Sequence, residues 1–229
     1  MVTRRAPRET PESENSRFRD RLSVAARQIG RPLSDAEAAA MASHYRLLRL
    51  WGARMNLTGL KDEEAILSRH FLEPIAASDL LSGEGRLLDL GSGNGFPAVP
   101  LKVLHPGLAL VLVEASEKKS AFLWAVLREL GLKEARVETR RVERAKDLDD
   151  LLPCRYLTFR ALRGRDLLEG AGDQLLQPGG RALLFVSVEE AEELRQRPVR
   201  GLRWVETRPL PSGRRSALAV FEPGARSFP

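Results

Sequence analysis

The stretch Leu87-Leu88-Asp89-Leu90-Gly91-Ser92-Gly93-Asn94-Gly95-Phe96-Pro97 constrains this chain more than any other. An apolar run ends in an acid. Three glycines follow at alternate positions, and then an aromatic, a proline and the apolar segment Ala98–Leu104. The pattern is that of a buried strand, a tight loop and the start of a helix. The glycines let the backbone turn sharply and let a ligand approach with no Cβ in the way. Loop amides and the helix N-terminus are then expected to present donors to a polar or anionic ligand. A turn that merely needs glycine explains one glycine. It does not explain an acid and three glycines set between two apolar segments.

The dinucleotide fingerprint G-x-G-x-x-G has its third glycine where this chain has Phe96, which argues against a dinucleotide oxidoreductase. The D-x-G-x-G-x-G form instead resembles motif I of the S-adenosylmethionine-dependent methyltransferases with a Rossmann-like fold. That resemblance implies that Asp89, Gly91, Ser92, Gly93, Gly95 and Phe96 form the cofactor loop, passing under the methionine part of S-adenosyl-L-methionine. It also implies an acid at the end of the second strand that holds the ribose hydroxyls. Glu114 closes the apolar run from Leu110 and lies about twenty residues downstream, where such an acid belongs. The plain alternative for Glu114 is a solvated strand-end carboxylate.

At 229 residues the chain is long enough for one large domain, or one domain with an extension. A hydrophobic content of 43% suffices for a packed core. No apolar stretch approaches the roughly 18 residues that span a membrane, and residues 1–20 carry no hydrophobic signal region. A cytoplasmic location and no membrane partner are expected. The single cysteine, Cys154, excludes an internal disulfide, and with only three histidines no metal site is expected. The net charge of +6 fits a polyanionic partner, although basic composition also arises without one.

Residues 1–16, with mixed charge, Pro7 and Pro11, read as a disordered tail. Residues 17–82 read as a helical subdomain. Its first helix is expected over 18–29, from the spacing of Phe18, Leu22, Ala25 and Ile29, with Gly30 ending it. Ser34-Asp35-Ala36-Glu37 has the capping-box form for a second helix, and a third starts near Asp62. Tyr45 and Trp51 are expected to pack in the core. From 83 to 229, β-rich runs alternate with helices, which predicts an α/β, mostly parallel, seven-stranded sheet. Strands are expected at 86–90, 109–114, 135–139, 156–160, 181–186, 203–208 and 216–221. Helices are expected after the glycine loop, after Ser116, at 166–176 and at 189–195. Ligands of such sheets lie beyond the carboxyl ends of the strands, where the glycine loop, Glu114, the segment after the third strand and Arg160 all fall. Cys154 precedes the fourth strand, at the opposite end, and reads as structural.

Several finer motifs resemble one family, the glucose-inhibited division protein B family (RsmG), whose members methylate N7 of a guanine in 16S ribosomal RNA. The resemblance runs over about 45–162 and continues more weakly beyond. It rests on Trp51 with Asn56-Leu57-Thr58, on Arg69-His70, and on Phe96-Pro97-Ala98-Val99-Pro100. It rests also on Glu114-Ala115-Ser116-Glu117-Lys118-Lys119, on Arg141-Val142-Glu143 and on Arg160-Ala161. It implies a class I methyltransferase fold and S-adenosyl-L-methionine as cofactor, with contacts at Gly91, Phe96, Glu114, Val142, Glu143 and Arg160. Val142 would pack near the adenine. Arg160 would lie where cofactor and target base meet, or pair with Glu143 or Glu73, or both. The chain departs from the family at Glu73-Pro74, where D-S is usual, at Ala98 for a glycine and at Thr158-Phe159 for small residues. Ser187 stands where a lysine is common after the fifth strand.

The resemblance further implies 16S ribosomal RNA or the small ribosomal subunit as partner, and a monomer is expected. Guanine N7 carries a free in-plane lone pair, so positioning suffices and no general base is expected; Arg160 is the nearest candidate for a catalytic residue. RNA contacts are expected from Arg136, Arg140, Arg141, Arg144 and Lys146, and from Arg195, Arg197, Arg200, Arg203, Arg208, Arg214 and Arg215. The alternatives are a methyltransferase acting on another substrate and a non-catalytic RNA-binding assembly factor that keeps the fold.

Overall fold

The computed structural model describes residues 10–52, 55, 57, 59, 60, 62–160, 169, 171, 174–197 and 199–224. Its strands are β1 (Gly85–Leu90), β2 (Leu108–Glu114), β3 (Ala135–Thr139), β4 (Cys154–Arg160), β5 (Leu176–Ser187), β6 (Leu202–Pro209) and β7 (Ser216–Pro223). They form one sheet in the order β3-β2-β1-β4-β5-β7-β6. The first five pair in parallel. The last two run as an antiparallel hairpin against β5. Strand order reverses between β1 and β4, so their carboxyl ends open on the crevice where sheets of this kind bind ligands.

The apolar strand runs reflect burial on both faces, as parallel strands require. Side chains alternate between two cores with the period of two that a strand imposes. Leu87, Leu110, Leu112, Leu183 and Phe185 enter one core. Leu88, Val111, Val113, Leu184 and Val186 enter the other. The first core is shared with the N-terminal helices α1 (Pro11–Gln28) and α2 (Asp35–Gly52), whose Phe18, Leu22, Tyr45 and Leu48 are buried in it. Burying each such side chain stabilises the fold by about 1.5–3 kcal/mol. Tyr45 stacks on Phe18 with ring centroids 3.8 Å apart, and Trp51 meets Phe122 edge-on at 5.8 Å.

The helix following α2 starts at Asp62, whose side chain accepts from the Ala65 amide at 3.0 Å. It runs as α3 (Glu63–Ile66), a π-helical turn (Leu67–Leu72) and α4 (Glu73–Ala77). Then come α5 (Ala98–Leu104), α6 (Glu117–Glu129) and α7 (Val188–Gln196). Ser34 and Glu37 make the expected reciprocal cap. Ser116 caps α6.

Several strand ends shift by one or two residues, so that β4 starts at Cys154 and includes the cysteine expected to precede it, and three boundaries differ more. First, α1 starts at Pro11, because Thr10 caps it by accepting from the Ser13 amide at 3.2 Å and Pro11 takes the first helical position, where its missing N–H costs nothing. Residues 11–16, read as tail, are therefore helical, while 1–9 lie outside the described residues. Second, β5 begins at Leu176 rather than 181. Pro178-Gly179-Gly180 makes its turn inside the strand, as an irregularity in the pairing with β4. Gly179 has φ +70° there, and the Pro178 carbonyl accepts from Arg155. Third, most of the helix expected over 166–176 falls outside the described residues, and Leu176 itself belongs to β5. Cys154 is buried at the start of β4, its thiol donating to the Leu175 carbonyl at 3.4 Å. Burial pushes the thiol up to about 12, which leaves it inert.

Candidate functional site

The loop from Gly91 to Pro97 joins β1 to α5 at the rim. Gly91, Gly93 and Gly95 have φ of +69°, +54° and +85°, which only glycine adopts readily. Among the described residues a Cβ on Gly91 would meet nothing within 4 Å. A Cβ on Gly95 would come within 2.9 Å of Val99 and 3.3 Å of both His44 and Leu123. The three glycines thus serve different ends. Gly91 leaves an open surface, and Gly95 lets the helical layer pack closely.

Four of the loop amides are held within the protein rather than facing outward as the sequence suggests. Gly91 and Ser92 both donate to the Val113 carbonyl, at 2.9 and 3.0 Å. The Gly95 amide donates to the Ser92 carbonyl at 2.7 Å. Gly93 donates to Glu114 Oε2 at 2.8 Å. Backbone donors must be satisfied, and here they are satisfied within the protein. The short α5 adds no anion site. Four of the loop's amides are therefore spent inside the protein.

Two carboxylates stand at the rim. Glu114 takes Gly93 on one oxygen and the Ser116 amide on the other, at 2.8 Å. Two ionised oxygens have about four lone-pair sites, so capacity remains for hydroxyl donors. Asp89 is buried at the end of β1. Its Oδ1 accepts from Thr158 Oγ1 at 2.6 Å, and its Oδ2 is buried with no partner among the described residues. Burial is the main cause that pushes its carboxyl up to about 6, against hydrogen bonds from Thr158 and Ser92 that pull it down. Thr158 sits beside Asp89 in the β1–β4 register and fixes its orientation. Ser92 turns its hydroxyl back to the Asp89 carbonyl at 3.0 Å.

Phe96 lies inward, only 4% exposed. Its ring is sandwiched between His44 and His70, each with centroids 4.4 Å away and nearly parallel. His44 Nε2 donates to the Asn94 carbonyl at 2.9 Å, and the Asn94 side chain donates to the Leu57 carbonyl at 3.2 Å. The helical layer thus clamps the loop. Desolvation lowers His44 to about 4 and His70 to about 3, so both rings are neutral. Neither histidine stood out in the sequence as a partner of the loop; Arg69-His70, quoted for the family resemblance, was the only signal.

The segment after β3 lies against the end of β2, with the Arg140 amide donating to the Glu114 carbonyl at 3.1 Å. Val142 is half-buried against the second core. Glu143 is exposed and pairs with Arg141 at 3.0 Å, not with Arg160. Arg160 closes β4. Its Nη1 donates to the fully buried Glu73 at 2.7 Å and its Nη2 to the Arg69 carbonyl at 3.1 Å. Glu73 also accepts from Ser212 and Ser216. Asn56, Thr58 and Ala161 lie outside the described residues.

The basic clusters are thinner than their arginine count. Arg136 pairs with Glu138, Arg140 with Glu138 and Asp150, and Arg141 with Glu143. Arg195 pairs with Glu192, Arg203 with Glu222, and Arg208 with Asp79 and Glu206. No described helix is long and apolar enough to cross a membrane.

Comparison with known proteins agrees with this geometry. A ribosomal protein L11 methylase from Lactobacillus delbrueckii subsp. bulgaricus superimposes with a TM-score of 0.56 at 12% identity, over 72% of this chain and 80% of that one. The fold is accordingly the Rossmann-like class I methyltransferase fold. The ribosomal RNA small subunit methyltransferase G of Stenotrophomonas maltophilia (strain K279a) is 35% identical over 198 residues, 83% of this chain and 90% of that protein. The protein of the same name from Myxococcus xanthus (strain DK1622) is 33% identical over 213 residues, 91% of this chain and 98% of that protein. The family model described as "GidB: rRNA small subunit methyltransferase G" matches residues 37–202, and the chain belongs to that family.

Proposed function

We propose that this chain binds S-adenosyl-L-methionine at the glycine loop and methylates N7 of a guanine in 16S ribosomal RNA. The observation that supports the cofactor most directly is the polarity of the rim. Gly91, Ser92, Gly93 and Gly95 spend their amides inside the protein, while Asp89 and Glu114 hold carboxylate capacity in reserve. A pyrophosphate needs donors. A ligand with ribose hydroxyls, an ammonium and a sulfonium needs acceptors, and the open surface at Gly91 admits it.

In this reading Glu114 holds the ribose hydroxyls. Asp89 supplies negative potential beside the loop, Gly91 and Ser92 lie under the methionine part, and Val142 and Glu143 flank the adenine. The cofactor supplies an electrophilic methyl group when bound. Residues 17–82 brace the loop through Phe96 and Asn94, and residues 83–229 carry the site. Arg160 acts as a fixed cation at the meeting point, because a guanidinium tied to Glu73 and Arg69 is no proton carrier. No base is required, since the N7 lone pair is already free, and rate comes from alignment and exclusion of water. The place of work is the cytoplasm, and the unit a monomer.

The test is methyl transfer to small-subunit RNA purified from cells lacking this protein, with mapping of N7-methylguanine. Wild-type protein is expected to place one such methyl, and Gly93→Asp to place none. No incorporation by wild type overturns the reading. Full activity in Gly93→Asp overturns the cofactor placement.

A further inference from the structure

Beside Arg160 the rim opens into a pocket of about 450 Å³, within the usual ligand range of roughly 300–1,000 Å³. It lies at the carboxyl ends of β4 and β5 and the start of β7, and its walls include Arg69, Arg160, Phe185, Ser187, Glu190 and Arg215. The Arg160 guanidinium sits 5.1 Å from the Phe185 ring centroid. With Glu73 beside it, its charge is already matched.

Two other cations of this pocket are not matched. Among the described residues no carboxylate lies within ion-pair reach of Arg69 or Arg215. Ser187, at the end of β5, is engaged in holding the next helix. Its hydroxyl caps α7 by accepting from the Glu190 amide at 3.1 Å, and Glu190 Oε2 accepts from the Ser187 amide at 2.8 Å. The hairpin is tied to the same point, with the Val188 amide donating to the Arg215 carbonyl at 3.1 Å. Arg215 thus brings a positive charge to the end of β5. Glu190, held by one oxygen, carries a second oxygen with no bond among the described residues.

We propose that this pocket seats the target nucleotide, with Glu190 reading the guanine and Arg69 and Arg215 holding its flanking phosphates. The inference rests on the proposed function. A guanine presents two donors, N1–H and the N2 amine, side by side on the edge remote from N7. A carboxylate is their natural acceptor, and the N7 edge is left free to face the cofactor. Arg160, backed by Phe185, offers the flat cationic surface on which unstacked bases settle. Phosphate contacts position the strand without reading it.

Glu190→Gln tests this cleanly, because glutamine keeps the capping box yet turns one acceptor into a donor. The substrates are reconstituted small-subunit RNAs carrying guanine or inosine at the methylated position. Inosine keeps N7 and N1–H and lacks the N2 amine. Wild type is expected to favour guanine by roughly ten-fold or more in kcat/KM, and Glu190→Gln to bring that ratio close to one with S-adenosyl-L-methionine affinity unchanged. Arg215→Gln is expected to raise KM for RNA and to reduce the salt slope of binding by about one, with kcat kept. A guanine preference equal in wild type and Glu190→Gln overturns the pocket assignment, as does a wild type indifferent to inosine. A wild type that binds the cofactor but methylates neither RNA overturns the proposed function instead.

Discussion

Glu73 and Arg160, 87 residues apart in sequence, meet through a 2.7 Å hydrogen-bonded ion pair in which the carboxylate is wholly buried. Two serines of the β6–β7 hairpin, Ser212 and Ser216, donate to the other carboxylate oxygen. One acid therefore joins α4, β4 and the hairpin.

Removing one partner of a buried pair strands the other's charge, at a cost of about 3–5 kcal/mol. Glu73→Ala is expected to lower the unfolding free energy by that amount in urea titrations. The double variant Glu73→Leu/Arg160→Leu is expected to regain most of the stability, since a packed apolar pair replaces the ions, and yet to transfer no methyl group. Stability and activity then part company. A double variant that stays active removes Arg160 from the chemistry.

The glycines separate in the same way. Gly91→Ala puts a side chain at φ +69° into open space, a strain of about 1–2 kcal/mol. It is expected to cost cofactor affinity, measured by calorimetry, while the melting temperature drops only a few degrees. Gly95→Ala carries similar strain and also drives a Cβ to 2.9 Å from Val99, adding roughly 1–3 kcal/mol of overpacking. Its main effect is expected in thermal unfolding. The reverse order of stabilities contradicts the division of labour between them.

The histidine–phenylalanine stack makes stability drop as pH falls. In the folded chain His44 titrates at about 4 and His70 at about 3, both below the unfolded value near 6.5. Their contribution is complete above about 6.5 and is lost as pH falls toward those folded values. Asp89 works in the opposite sense. Raised to about 6, it stabilises fully below its unfolded value near 3.9, and that contribution is lost as pH rises through 6. Between about pH 4 and 6 the unfolded chain binds two protons at the histidines, and the folded chain binds one at Asp89. The net is one proton, a slope of about 1.4 kcal/mol per pH unit. His70→Phe is expected to flatten it, and Asp89→Asn to double it, in urea midpoints taken across that window. Equal slopes in all three proteins sink the assignment.

Local pattern made much of this legible. The strand–loop–helix around Gly91 and the acid at Glu114 are written in adjacent residues, and the strand ends follow from turn chemistry and apolar runs. What the loop amides do was not legible, because their acceptors are the Val113 carbonyl and the Glu114 carboxylate on the next strand. A glycine loop looks the same in sequence whether its donors point inward or outward. The inward setting of Phe96 was not legible for the same reason, since its partners His44 and His70 are set by how the helical layer docks. Thr158 and Glu73, which looked like departures, hold Asp89 and Arg160 in place. Which arginines already hold a carboxylate was not legible, because charge in sequence carries no information on pairing.

That pairing decides which arginines face RNA. Each phosphate neutralised contributes about 0.9 to the salt slope on duplex and about 0.7 on single strands. An arginine already holding a carboxylate must give up that partner first. Arg136 and Arg140 are so engaged, whereas among the described residues Arg69, Arg214 and Arg215 have no carboxylate within ion-pair reach. In filter binding to small-subunit RNA across a salt series, Arg214→Gln/Arg215→Gln is expected to reduce the slope by about one to two. Arg136→Gln/Arg140→Gln is expected to leave it within a few tenths, although Arg140→Gln also loses its bidentate pair with Asp150 and so lowers stability. If the second double variant carries the larger loss of slope, RNA approaches over β3, and the hairpin is not its contact.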